Sequence, residues 1–177
     1  MIKKSQLLVA LFTVYLGGCA SVPMASVEED TKQKQFAPPS QGMSGVYIFR
    51  NSSFGAALTK LLYIDDQLIG ASAANTYFYR EIKPGEHKLS TQTEFGNNHL
   101  KIKTEGDKNY YVRQYIKLGA FVGGAGLEQY NEEKGKAGVR ECKLAKTTGS
   151  TTPAPAQATS TDTSPTVATT GAGSVAQ

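Results

Sequence analysis

The chain has 177 residues, with 19 Lys and Arg against 15 Asp and Glu, two Cys and no Trp. That length excludes a multi-domain enzyme of ordinary size. Removing the first 18 residues as a leader takes Lys3 and Lys4 with it and leaves 159 residues of net charge +2, too slight a surplus to argue for nucleic acid.

Residues 1–18 read as a lipoprotein signal peptide, with Lys3 and Lys4 as the positive n-region and Leu7 to Leu16 as the apolar h-region. The apolar stretch is too short to span a bilayer core about 30 Å thick, which takes about 20 residues in helix. The leader ends in Leu16, Gly17, Gly18 and Cys19. This is a lipobox: an apolar branched side chain three places before the cysteine, and small residues between, so that the extended chain can enter a membrane-embedded peptidase. The thiol is the nucleophile that takes up a diacylglycerol thioether. Each buried lipid CH₂ contributes about 0.8 kcal/mol, so two or three chains on Cys19 would anchor the protein permanently. With Cys19 lipidated, Cys142 is the sole mature thiol and no internal disulfide forms. In the bacterial lipoproteins this leader resembles, Asp in the next place favours the inner membrane. Here that place holds Ala20, which implies the outer membrane with the domain facing the periplasm.

Residues 19–41 carry Pro23, the acidic run Glu28, Glu29 and Asp30, then Pro38 and Pro39, with no sustained hydrophobic period. They read as the lipidated cysteine and a flexible tether. Residues 147–177 hold ten Thr, six Ala, four Ser and three Pro, with Asp162 as the one charge. Such a segment buries too little apolar surface to offset its ordering entropy, so a disordered tail is expected.

Residues 42–146 remain as one domain with a modest core. Val46, Ile48 and Arg50 alternate with Gly45, Tyr47 and Phe49, and Leu61 to Ile64 is a short apolar run closed by Asp65 and Asp66, which read as a hairpin turn into Gln67 to Ser72. Thr76 to Ile82 places Tyr77 and Tyr79 opposite Phe78, before a Lys83, Pro84, Gly85 turn. His87, Leu89 and Thr91 then share a face, the chain turns at Phe95 to Asn98, and Leu100, Ile102 and Thr104 alternate with His99, Lys101 and Lys103. After a turn at Glu105, Gly106 and Asp107, Asn109 to Leu118 forms a long strand, with Tyr110, Val112, Gln114, Ile116 and Leu118 on one face and Tyr111, Arg113, Tyr115 and Lys117 on the other. Leu127 to Lys134 fits a short helix or a final strand pair, and Val139 to Leu144 is expected to close the sheet. Short strands at such spacing predict an all-β fold, a small antiparallel β-sandwich or barrel.

Four segments carry a resemblance: Gly45 to Arg50, Tyr63 to Gly70, Ile82 to Leu89 and Lys108 to Arg113. Through them residues 45–144 resemble the bacterial lipoproteins catalogued as domain of unknown function 2846. The resemblance implies a fold and no established activity. The Pro-Gly-x-His-x-Leu turn is similar to short repeats of surface β-sandwiches, which favours an immunoglobulin-like or transthyretin-like sandwich.

No catalytic constellation stands out. His87 and His99 are the only histidines and lack zinc-type spacing; His87 is expected to be structural and His99 solvated. Asp65 and Asp66 sit in a turn, and Cys142 is expected to be buried and inert. The glycine-rich run from Gly119 to Gly126 lacks the Lys and Ser or Thr of a phosphate loop; it serves as a packed connection or as a partner contact. Tyr77, Tyr79, Tyr111, Tyr115 and Phe121 are the candidate contacts for a ligand or partner, since tyrosine joins apolar area to a hydroxyl, though core filling is the competing use. The expectation is a non-enzymatic envelope lipoprotein, without cofactor or metal, that meets an envelope protein or glycan. The alternatives are a small-ligand or sugar-binding lipoprotein with an aromatic pocket and, less favoured, a cell-wall hydrolase built from His87, Asp65 or Cys142.

Overall fold

A computed structural model describes residues 20–119 and 123–148. The fold is a small all-β sandwich of two sheets with two short helices. Strands β1 (Ser44–Arg50), β4 (Thr76–Ile82), β7 (Lys108–Lys117), β8 (Gly124–Tyr130) and β9 (Lys143–Leu144) make one sheet, in the order β8-β7-β1-β4-β9. Strands β2 (Lys60–Ile64), β3 (Gln67–Ser72), β5 (Gly85–Thr93) and β6 (Gly96–Thr104) make the other, in the order β3-β2-β5-β6.

Local chemistry sets the hairpins. Asp65 and Asp66 both have positive φ, 49° and 63°, as a two-residue primed turn requires. They join Ile64 to Gln67 in register. The expected strand Asn109 to Leu118 is β7, displaced by one residue, and its faces are as read: Val112 packs between the sheets and Tyr111 lies on the opposite side.

The sandwich is mixed rather than purely antiparallel. β1 pairs antiparallel with β4 but parallel with β7, Ser44 opposite Lys108, and β4 pairs parallel with β9. β7 joins the flank of β1 only after the chain has passed through the other sheet, so no local turn signal encodes that neighbour.

Between the sheets, Val46, Ile48, Phe78 and Val112 meet Leu62, Ile64, Ile69, Leu89 and Ile102. A second apolar layer covers the far face of the five-stranded sheet, where Tyr47, Phe49, Tyr77 and Tyr111 lie under Phe36, Val139 and Cys142. Two helices build this cover. Helix α1 (Val27–Gln33) starts at a capping box in which the Ser26 hydroxyl accepts from the Glu29 N–H at 3.2 Å and the Glu29 carboxylate accepts from the Ser26 N–H at 2.9 Å. Helix α2 (Glu132–Arg140) is capped by Asn131 and presses two glycines on the sheet. A Cβ at Gly135 would lie 2.2 Å from Tyr111 Cβ, and one at Gly138 would lie 2.2 Å from Phe49 Cε2.

Two expectations are corrected here. The tether 19–41 is folded against the domain throughout its described part: Ala25 N–H donates to Leu144 O at 3.0 Å, Met24 bridges Ala145, Val22 packs on the core and Phe36 is buried. Its apolar residues are too few for a visible period, but they land on a surface that would otherwise stay open. The closing strand Val139 to Leu144 shrinks to Lys143–Leu144, because Val139 and Arg140 end α2. Leu16, Gly17, Gly18, Cys19 and Phe121, with residues 149–177, lie outside the described residues.

Candidate functional site

The candidate tyrosines sort by what covers them. Tyr77 and Tyr111 are fully buried and Tyr79 and Tyr115 half-buried, so the four do not form an exposed aromatic face. Tyr47 organises the cluster, stacking on Tyr111 at 5.1 Å and 13° and meeting Tyr79 at 4.7 Å. Its hydroxyl donates to Gln33 O at 3.1 Å and accepts from Gln33 Nε2 at 2.7 Å. Burial pushes the Tyr47 hydroxyl up to about 12 and also raises Tyr77, Tyr79 and Tyr111. The Tyr111 hydroxyl is buried with no partner among the described residues. Tyr115 stands apart, its ring 5.5 Å from Lys117 Nζ and close over Gly126. Cys142 is free and buried behind α2, and burial pushes its thiol up to about 12, which leaves no thiolate for nucleophilic work near neutrality.

The two ends of the sandwich differ. At one, the Asp65 turn, Ile82, Gly85 and Thr104 gather. An open cleft of about 400 Å³ there is lined by Asp65, Glu86, His87, Lys88, Lys101 and Lys103 with Ile102. His87 Nδ1 lies 2.6 Å from Asp65 Oδ2, and Nε2 lies 2.8 Å from Lys83 O. Both neighbours are acceptors, so the ring makes both bonds only with both nitrogens protonated. Asp65 Oδ1 accepts from the Lys88 N–H at 2.9 Å. Burial opposes the Asp65 charge, but the bonds from His87 and Lys88 outweigh it and hold the carboxyl below its usual range. His87 thus joins the Asp65 turn to the Lys83 carbonyl. His99 is exposed and bonds Ser90 Oγ through Nδ1 at 2.7 Å. Among the described residues no three of His, Cys, Asp and Glu come together as a metal set. What this cleft offers is positive charge, Lys101 and Lys103 standing on exposed positions of β6.

At the other end lie Arg50, Thr76, Thr93, Lys117 and Gly124. Arg50 is fully buried and donates to three backbone carbonyls of the β1–β2 loop: Leu58 at 2.8 Å, Gly55 at 2.7 Å and Phe54 at 3.2 Å. Beside it a closed polar chain runs from Ser72 through Gln114 to Thr91, the last bond 2.6 Å long. The glycine-rich run is partly strand here, Gly124 and Gly126 belonging to β8. Ala20, the first described residue, donates its N–H to Ala56 O in this same β1–β2 loop at 3.2 Å. The sequence pattern signalled neither this contact nor the exposed Phe54, Phe95 and Leu118 at the same end of the sandwich.

The comparisons with known proteins give a family and add no chemistry. Residues 40–125 match the family described as Protein of unknown function (DUF2846). An uncharacterized protein of Haemophilus influenzae is 57% identical over 130 residues, covering 73% of this chain and 77% of that one. No solved structure matches.

Proposed function

The chain belongs to the protein family of unknown function DUF2846, and from that premise we propose that it is a lipid-anchored, non-enzymatic protein of the bacterial envelope. Cys19 carries the acyl chains, the outer membrane holds them, and the β-sandwich faces the periplasm to meet an envelope protein or glycan. One observation carries this reading: a lipobox, Leu16 to Cys19, followed at once by a folded domain whose first described residue is already hydrogen-bonded to it. A lipidated Cys19 would then join the sandwich without a spacer.

Recognition rather than catalysis is supported by how the reactive side chains are used. Asp65 and His87 tie a turn to β5, and the Cys142 thiol is held protonated in the core. Three of the tyrosines that motivated a sugar pocket, Tyr77, Tyr79 and Tyr111, fill the outer layer of the five-stranded sheet instead, and Tyr115 stands apart from them. The basic cleft at the Asp65 end is the surface left for a partner, and its lysines favour an anionic group.

Labelling growing cells with an alkyne fatty acid tests the anchor. The full chain is expected to take up label and to sediment with membranes, and Cys19→Ala is expected to lose both. Label or membrane sedimentation retained by Cys19→Ala overturns the reading. Mild in-cell crosslinking of the labelled protein then separates an accessory subunit, recovered with a stoichiometric protein, from a glycan binder.

A further inference from the structure

Phe54, Phe95 and Leu118 are among the most exposed large apolar side chains of the described residues, at 55%, 80% and 87%. They come from three separate segments: the β1–β2 loop, the β5–β6 hairpin tip and the residue after β7. The fold brings these segments to one end. A Cβ at Gly55 would lie 3.1 Å from Ile116 Cγ2, tying the loop to β7, and one at Gly124 would lie 4.0 Å from Thr93 Cβ, tying β8 to the hairpin tip. Asn98 Nδ2 donates to Ala125 O at 2.5 Å across the same junction. Arg50 fixes the loop through the Phe54, Gly55 and Leu58 carbonyls, so Phe54 is presented on a braced backbone.

Scattered exposed apolar residues need no explanation, but a cluster at one end does. What covers this one is indicated by where the chain leaves the described structure. Ala20 N–H is bonded to Ala56 O, two residues from Phe54, and Ala20, Ser21, Val22 and Met24 line a groove with Ala73 and Asn75 of the β3–β4 turn and Thr76 of β4 at the same end. Cys19 is one residue further. Acyl chains on it are delivered to this end and cannot be carried to the other. β7 is ten residues long, which at about 3.3 Å per residue puts the Asp65 turn about 30 Å away.

We propose that this end of the sandwich is a membrane-contact surface, with Phe54, Phe95 and Leu118 inserted in the interfacial region of the lipid leaflet that holds the Cys19 acyl chains. The inference rests on the lipoprotein reading of Cys19. The chain is anchored and seated, apolar side chains at an interface adding to the lipid's hold, and the basic cleft points away from the bilayer.

The chain contains no Trp, so single tryptophans report without background. Phe54→Trp, Phe95→Trp and Leu118→Trp, with Lys101→Trp as the reporter at the opposite end, are purified as the acylated full-length protein and reconstituted in phosphatidylethanolamine and phosphatidylglycerol vesicles. Fluorescence is read with and without acyl-chain-brominated lipid. The expected result is a shift to shorter wavelength and loss of most emission for the three end reporters, with Lys101→Trp unquenched. Unquenched end reporters on protein that still carries its fatty-acid label overturn the membrane-contact proposal and leave the anchor standing. Emission shifted in intact envelopes but unquenched in vesicles overturns it in favour of a protein neighbour. Absence of fatty acid from the purified chain overturns the anchor, and the proposal with it.

Discussion

β1 and β6 are strands of comparable length in the two sheets, yet β1 buries all seven of its residues and β6 buries only Ile102 and Thr104. The five-stranded sheet is covered on both faces, by the other sheet and by α1, α2 and the chain around Phe36; the four-stranded sheet is covered on one. A strand in the first setting carries apolar side chains on both faces, as Val46, Tyr47, Ile48 and Phe49 do, and one in the second alternates them with lysines, as Leu100 to Lys103 do. Stability and titration behaviour are thus concentrated in one sheet, and accessible charge is displayed on the other.

The largest expected break in this comparison comes from alkaline pH. Tyr47 and Cys142 are held up to about 12 by burial, and Tyr77, Tyr79 and Tyr111 are raised as well. Their ordinary values are about 10 for tyrosine and 8.5 for cysteine. The folded state keeps these protons where the unfolded chain releases them. Stability is therefore complete below the unfolded values and falls as pH rises through the folded ones. Circular dichroism against pH is expected to show cooperative loss of the fold above about pH 10, with a step in tyrosinate absorbance at 295 nm, from the four covered tyrosines among the nine, in the same transition. The whole tyrosinate absorbance growing in smoothly while the fold persists contradicts the covered layer.

Truncations sharpen the comparison next. Phe49→Ala removes a ring packed beneath Gly138 and beside Tyr130, and about 3–5 kcal/mol is expected to be lost. Lys101→Ala, on the open face of β6, is expected to change stability by about 0.5 kcal/mol or less. Denaturant midpoints of the two variants check both values together.

The smallest effect separates two tyrosines within the covered layer. Tyr47→Phe breaks both bonds to Gln33 and is expected to cost about 1 kcal/mol, whereas Tyr111→Phe removes a buried hydroxyl with no partner and is expected to be neutral or to stabilise by about 1 kcal/mol. Equal losses for the two would contradict this assignment of the hydroxyls.

Local features were legible in the sequence. The Asp65 and Asp66 turn, the Glu105 to Asp107 turn and the two faces of β7 follow from turn chemistry and period-two alternation, which act over a few residues. The Ser26 to Glu29 capping box went unread, because the proline and charge content around it pointed to a tether. Gly135 and Gly138, three apart, marked the flat face of α2, a signal that becomes meaningful only once Tyr111 and Phe49 are known to lie beneath. The tyrosine reading failed for a related reason: alternation states which residues share a face and is silent on what lies over it.

By itself the sequence determined the strand segments from Ser44 to Lys117, their facing and most turns, because each depends on neighbours two to four residues away. Only the tertiary structure decided that β7 runs parallel beside β1, that α1 and α2 seal the aromatic face, and that Ala20 meets the β1–β2 loop at the end where Phe54, Phe95 and Leu118 converge. Those outcomes join residues tens of positions apart. Packing, rather than propensity, selects among them, because burying Tyr47, Phe49 and Tyr111 requires a cover that no local pattern specifies.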